Sequence, residues 1–332
     1  MSPSGAARAA TPTPAIDERT RAWLLDPASP TTRRLAIARL GLDASNEGSP
    51  TAEEPWIRAL LDEPVRDDGD PLHPYHKWRG DHWRLVALAE LDVDPTESAI
   101  ARRIDEGLDR VIAWVSGTSR LRASRAVEGR VRQCASMDGN AALAATRLGR
   151  GDDPRVGAVV ERLIAWQWPD GGWNCDKRPG CEHASFNESL APLRALAAWA
   201  HGRRGALAGD ARAAAHRAAE FFLVHHVDRS HRTLELAHPA LDRLRWPPFW
   251  HYDRLQGLRA LQEAGLLGDP RTANALASLG DARRADGRWH PDGRYWRGPG
   301  ATGTGVEAVA WGAEGEARML TIQALEVLRA AH

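Results

Sequence analysis

Between residues 174 and 183 the chain reads "NCDKRPGCEH", which sets Cys175, Cys181 and His183 around Asp176. Thiolate and imidazole are ligands that zinc favours, and three close ligands with a distant fourth would make a reasonable tetrahedron. The spacing C-x5-C-x-H is not that of a zinc knuckle, so the competing reading is a loop whose cysteines are small apolar residues. Proton transfer is the other chemistry available here, with His183 as acid or base and Asp176 to orient it. A second candidate is "PPFWHYDRLQG" (247–257), where His251 and Asp253 stand among Trp250 and Tyr252 at the start of a helix. His251 suits general acid–base work with Asp253 as its carboxylate partner. The structural alternative is an aromatic staple, with Asp253 favouring the positive helix end.

Two further clusters have the same character. "PLHPYHKWRGDHW" (71–83) offers His76, His82, Trp78 and Trp83 as lining groups; the alternative is a solvated loop with Asp81 as a helix cap. "SFNESLAPL" (185–193) offers Glu188, either a capping acid or a cavity carboxylate. Pro192 is expected within the first helical turn, which sets Asn187, Glu188 and Ser189 at or before the helix start. All four clusters precede segments that read as buried helices, so one end of a helical assembly would gather them into a single aromatic-lined site. Tryptophan-rich walls suit carbocations through cation–π attraction and flat substrates by stacking.

The elements that must hold these residues are helices. Period-two strand patterns are nearly absent, while helical patterns recur with Pro, Gly and Asp punctuation. Twelve helices are expected, near 17–25, 31–40, 53–62, 81–91, 96–115, 138–149, 154–167, 189–202, 210–227, 250–265, 270–284 and 314–330. "HWRLVALAEL" (82–91) is apolar almost all round and should be buried on several sides. "ESAIARRIDEGLDRVIAWV" (97–115) is amphipathic, with Ile100, Ile104, Leu108, Val111 and Val115 on one face. Alternating buried and amphipathic helices fit a closed ring of hairpins, or an open solenoid.

Composition bounds the function classes. The 332 residues carry 44 Lys+Arg against 44 Asp+Glu, and no basic stripe points to nucleic acid. No apolar run approaches a membrane span, so stable membrane insertion is not expected. The three cysteines are too few for a disulfide framework and fit a cytoplasmic setting. Residues 1–15 read as a disordered tail, and 16–332 as a single domain. Tryptophan is the anomaly: 14, against four Phe and three Tyr.

An internal repeat joins these threads. "LIAWQWPDGGW" (163–173) and "LGDARRADGRW" (279–289) share a helix end followed by Asp-Gly-x-Trp, and each follows a helix opened by Asp-Pro. Proline in the first helical turn and glycine at the helix end account for the turn chemistry. "QWPDGGW", with Gln167, Gly171 and Trp173, resembles the QW repeat of squalene–hopene and related triterpene cyclases; the second copy keeps Asp286, Gly287 and Trp289 without the Gln. The resemblance implies an all-α (α/α)6 toroid of the terpenoid-cyclase and protein-prenyltransferase type. The catalytic motifs do not carry over. The Asp-x-Asp-Asp acid motif of the class II cyclases is missing, "RDDGDP" (66–71) is only loosely similar, and the prenyltransferase zinc ligands find no match.

The expected function is therefore a small-molecule enzyme, a cyclase, isomerase or lyase acting by Asp/His acid–base chemistry on a terpenoid or similarly apolar substrate. Catalytic candidates are His251, Asp253, Asp176, His183 and Glu188, with Asp170 explained by its turn. Substrate-binding candidates are His76, His82, Trp78, Trp83, Trp250, Tyr252 and Trp173. No cofactor is expected, with zinc on Cys175, Cys181 and His183 as the alternative. A carbohydrate-active α/α barrel with paired carboxylates and a non-catalytic binding scaffold are the rival readings.

Overall fold

In the computed structural model, residues 15–42, 51–65 and 69–331 are described. The expected tail, apart from Ala15, and Arg66, Asp67 and Asp68 of the "RDDGDP" stretch lie outside them. The first helices are α1 (Glu18–Leu24), α2 (Pro30–Leu40), α3 (Pro55–Leu61), α4 (Asp81–Glu90), α5 (Ser98–Val115) and α6 (Thr118–Arg122). A small hairpin of β1 (Arg125–Val127) and β2 (Arg130–Arg132) interrupts them. There follow α7 (Ala135–Ala145), α8 (Pro154–Trp166), α9 (Phe186–Ala200), α10 (Ala206–Val224), α11 (Arg254–Glu263), α12 (Ala273–Asp281) and α13 (Gly312–Ala330). The chain is mostly helical, and each expected helix has its counterpart. The hairpin was not expected; its turn is Glu128-Gly129, both with positive φ, between strands too short to show a period.

Burial sorts the helices into two kinds. In α7 only Met137 escapes full burial, and α4, α9, α11 and α13 are buried on nearly every side. These five pack in chain order, α4 on α7, α7 on α9, α9 on α11 and α11 on α13, and α13 packs on α2. By contrast α5 buries Ile100, Ile104, Leu108, Val111 and Val115, the expected stripe, and turns its charged residues outward except Arg103. Helix α8 does the same with Val156, Val159, Val160 and Leu163. Apolar surface thus meets apolar surface in two layers, with α5, α8, α10 and α12 outside. Among the described residues no helix is long and apolar enough to cross a membrane.

The two Asp-Gly-x-Trp turns are the same device built twice. After α8, Trp173 folds back so that its Nε1–H donates to Leu163 O (3.0 Å) while its backbone N–H donates to Ser189 Oγ of α9 (3.0 Å). After α12, Trp289 donates to Leu279 O (2.8 Å) and to Thr321 Oγ1 of α13 (3.1 Å). Gln167 Nε2 bridges Gly171 O (2.7 Å) and Ala214 O of α10 (2.8 Å). Arg283 occupies the matching position, donating to Gly287 O (2.8 Å) and reaching Ala15 O and Asp17 beside α1 (both 3.3 Å). Gly171 and Gly287 hold φ of 93° and 83°, and a Cβ at either would overlap the next outer helix, at Arg217 O and at Asp17 and Thr20. The first turn therefore binds its hairpin to α10, and the second binds its hairpin to α1.

Pro192 does not sit in a first turn as expected. Helix α9 begins at Phe186, so Glu188 lies in the first turn and Pro192 in the helix interior, against Gly139 of α7. Asp81 is not the cap of α4 either. It is the first residue of that helix and is buried by ion pairs with Arg103 and Arg110.

Candidate functional site

The segments preceding the buried helices meet at one end. Ser136 N–H of α7 donates to Glu188 Oε2 of α9 (3.0 Å), and Tyr252 N–H donates to Asn187 Oδ1 (2.8 Å), joining the approach to α11. Trp78, ahead of α4, donates through Nε1 to Tyr295 O (3.0 Å) and stacks on Phe249 at 3.7 Å.

Within this end, three reactive side chains come together: Cys134, Cys175 and Glu188, whose ligand atoms all lie within 4.8 Å of one another. They arrive on separate elements. Cys134 caps α7, Cys175 follows the Trp173 turn, and Glu188 stands in the first turn of α9. The loop carrying Cys175 is pinned by Arg132, buried and stacked over Trp168, which donates to Asp176 O (3.0 Å). The Cys175 thiol donates to Glu188 Oε1 (3.4 Å). A hydrogen bond from Cys175 holds the Cys134 thiol below its ordinary range, with Arg120 and Lys177 acting the same way. The Cys175 thiol is pushed up by that same bond and by burial. Burial pushes the Glu188 carboxyl up, against the hydrogen bonds from Ser136 and Cys175. The trio is an acid–base system in which burial opposes simultaneous ionisation of all three members.

An aromatic wall stands beside it. The Tyr75 phenol is raised by burial and by facing Cys134, Glu188 and Cys175. Tyr75 packs against His82, Trp83 and Trp114 with ring centroids 5.1–5.6 Å apart. His82 is fully enclosed, neither ring nitrogen has a hydrogen-bond partner, and burial lowers it to about 3. It is a neutral imidazole in an aromatic box. His251 is sandwiched between Trp250 (4.0 Å) and Tyr295 (3.4 Å), with Nδ1 on Pro248 O (3.0 Å), and burial lowers it to about 4. Asp253 is the N-cap of α11, accepting from Gln256 N–H (3.0 Å), and burial raises it to about 7. The expected His251–Asp253 pair is not hydrogen-bonded: the imidazole turns to a carbonyl and the carboxyl to a helix end.

The interior beneath this end is nearly filled. A cavity of about 30 Å³, space for about one or two waters, lies among Trp83, Asn140, Arg147, Arg194, Trp246 and Phe249. In its wall Glu90 accepts from Arg194 (2.7 Å), Arg259 (2.9 Å) and Arg147 (3.0 Å). Glu263 binds Arg147 (2.7 Å) and Arg194 (2.8 Å). Burial opposes the charge on Glu90, yet Arg194, Arg259 and Arg147 hold its carboxyl well below the usual range.

The remaining candidates are dispersed. Trp83 lines the small cavity, and Trp78 covers it through Phe249. Trp173 belongs to the hairpin clasp and faces no cavity. Tyr252 is buried, donating its hydroxyl to Val227 O (2.5 Å). His76 is exposed. Asp176 is tied at the surface to Arg178 (2.5 Å), which lowers it to about 2. His183 is exposed, 6.4 Å from His231 between ring centroids. Asp170 serves its turn, accepting from Gly172 N–H (3.4 Å), and ties the turn to the end of the loop by accepting from Ala184 N–H (2.7 Å). Cys181 contacts Asn174 and the His183 carbonyl, so Cys175, Cys181 and His183 do not form a ligand group. Cys175 points inward to partners from other helices, because the Asn174 side chain and the Arg178–Asp176 pair turn the rest of the loop outward.

Sequence reasoning missed Cys134. A signal existed: like the other candidates, it immediately precedes a buried helix. No family model matches the chain, and no curated protein or solved structure matches it.

Proposed function

We propose that the helices close into an (α/α)6 toroid and that the chain is a small-molecule enzyme of the isomerase or lyase type. Support for the ring comes from the unbroken packing of buried helices from α4 to α13 and on to α2, and from Arg283 reaching the segment before α1. The observation that carries the function is the meeting of Cys134, Cys175 and Glu188 beside Tyr75. Two thiols and a buried carboxyl sharing protons are equipped to take a proton from, or give one to, a substrate held on the aromatic wall. An apolar substrate suits Tyr75 and Trp114. The narrow centre favours reaction at the mouth of the ring over cyclisation inside it. The small cavity behind the aromatic wall offers one carboxylate among the described residues, Glu90, committed to three arginines, so it does not supply at this end the pair that glycoside hydrolysis requires.

The test is solvent-exchange mass spectrometry. A panel of terpenoid and other apolar small molecules is screened for binding by tryptophan fluorescence, and each binder is incubated with the protein in D2O. The expected result is deuterium incorporation or double-bond migration in a binder, slowed about 100-fold or more in Glu188→Gln with binding retained. Binding without exchange in the wild type would replace this reading with that of a binding scaffold.

A further inference from the structure

The trio has a property that proton transfer alone does not require. Its ligand atoms are spaced as corners of a coordination polyhedron: Cys175 Sγ and Glu188 Oε1 are 3.4 Å apart, and the two sulfurs and a Glu188 carboxylate oxygen all lie within 4.8 Å of one another. A tetrahedral zinc with Zn–S of about 2.3 Å and Zn–O of about 2.0 Å sets its ligands roughly 3.5–3.8 Å apart. The surroundings also match. Glu188 Oε2 is held by the Ser136 N–H (3.0 Å), which leaves Oε1 as the oxygen presented to the thiols. Arg120 donates to Cys134 O (3.5 Å) and is itself fixed by Asp138 (2.5 Å). Arg120 and Lys177 are the cations that act on Cys134. Two thiolates and a carboxylate around a divalent ion leave one net negative charge, which these two offset.

We infer that Cys134, Cys175 and Glu188 form a three-ligand zinc site with its fourth position open toward Tyr75. Soft thiolates with one carboxylate select zinc over magnesium or calcium. Three protein ligands with an open corner are the arrangement of catalytic zinc. Ion binding displaces the two thiol protons, and the carboxyl proton where Glu188 carries one, to solvent. No oxidant or reductant is involved. Water in the fourth position would be polarised by the ion and would serve as the proton donor or acceptor, with Glu188 as a ligand. This rests on the proposed function only for which end of the molecule carries the chemistry; with zinc bound, the water in the fourth position replaces the proton-sharing trio as the acid–base group.

The experiment uses the full chain, reduced, stripped with chelator and returned to Zn2+ or Co2+, with bound metal counted after gel filtration. About one equivalent of zinc is expected per chain, and the Co2+ form should show thiolate-to-metal charge-transfer absorption with tetrahedral d–d bands. Cys134→Ser, Cys175→Ser and Glu188→Gln should each fall below about a tenth of an equivalent, while Cys181→Ser and His183→Ala keep the full complement. The Co2+ spectrum is read on the wild type, so it does not depend on any variant folding. Less than a tenth of an equivalent in wild type, loss through Cys181 or His183 instead, or a Cys134–Cys175 disulfide in the reduced preparation would each overturn the site. Zinc-free protein that still exchanges deuterium through Glu188 would overturn the metal alone. Zinc-loaded protein without exchange would overturn the proton chemistry alone.

Discussion

His82 states the chemistry of this end most sharply, because it is a polar ring with nothing to bind. Burial keeps it neutral down to about pH 3, whereas the same ring in the unfolded chain takes a proton near pH 6.5. Between those values the unfolded state binds the extra proton, so stability falls as pH drops from about 6.5 toward 3. The His82 contribution to that loss is on the order of a few kcal/mol. His82→Phe, which suits a box of Tyr75, Trp83 and Trp114, should remove it. Urea unfolding at pH 7 and pH 4.5 reads the effect: the variant should lose less stability than wild type, and equal losses would show that His82 does not titrate on unfolding. At this scale the sequence was half legible. His82, Trp83 and Glu188 could be picked out because polar and aromatic residues crowd ahead of buried helices. Cys134 shared only the place before a buried helix, without a polar and aromatic crowd to mark it, and its partners are 41 and 54 positions away, brought near by the packing of α7 on α9.

At the scale of elements, the Asp-Gly-x-Trp turns carry the most specific sequence signal and the clearest energetic test. Gly171 is confined twice, by φ of 93° and by the Arg217 carbonyl where a Cβ would stand. Gly180, at φ of 77°, has open space around it. Gly180→Ala should cost about 1 kcal/mol, the left-handed backbone term. Gly171→Ala should cost about 3 kcal/mol or more, because α8 and α10 must also move apart. Comparable thermal shifts for the two variants would remove the turn from its role as a clasp between hairpins. The helices themselves were legible from apolar spacing, as the α5 stripe shows. The β1–β2 hairpin was not, because strands of three residues carry too little pattern. The start of α9 was misjudged by three residues, because proline in a helix interior is uncommon and its accommodation against Gly139 is a tertiary event.

For the whole molecule, the filled centre was the least legible feature. Glu90, Arg147, Arg194, Arg259 and Glu263 look like ordinary surface charges until their helices are assembled. Together they set three cations against two anions and join α4, α9, α11 and the turn after α7. Removing the charge of Glu90 leaves buried guanidinium groups in excess, so Glu90→Gln should cost about 3 kcal/mol or more. Asp92→Asn, at a half-exposed carboxylate paired with Arg39, should cost under about 1 kcal/mol. Hydrogen exchange should show the Glu90 defect as faster opening in α4, α9 and α11 alike; a change confined to α4 would mean that the network does not couple them.

The contacts around α1 and α2 have a consequence in time. Arg283 meets Asp17 across 266 positions of chain, Glu314 meets Trp23 across 291, and Arg329 meets Leu40 O across 289. At roughly 5–20 residues per second, a ribosome that has made α1 and α2 takes on the order of 15–60 s to deliver those partners. Throughout that interval Leu24, Leu35 and Ala36, wholly enclosed in the finished protein, lack the last helices that cover them. The first helices made are therefore among the last to be completed, and nascent chains stalled before residue 283 would be the form most in need of a chaperone.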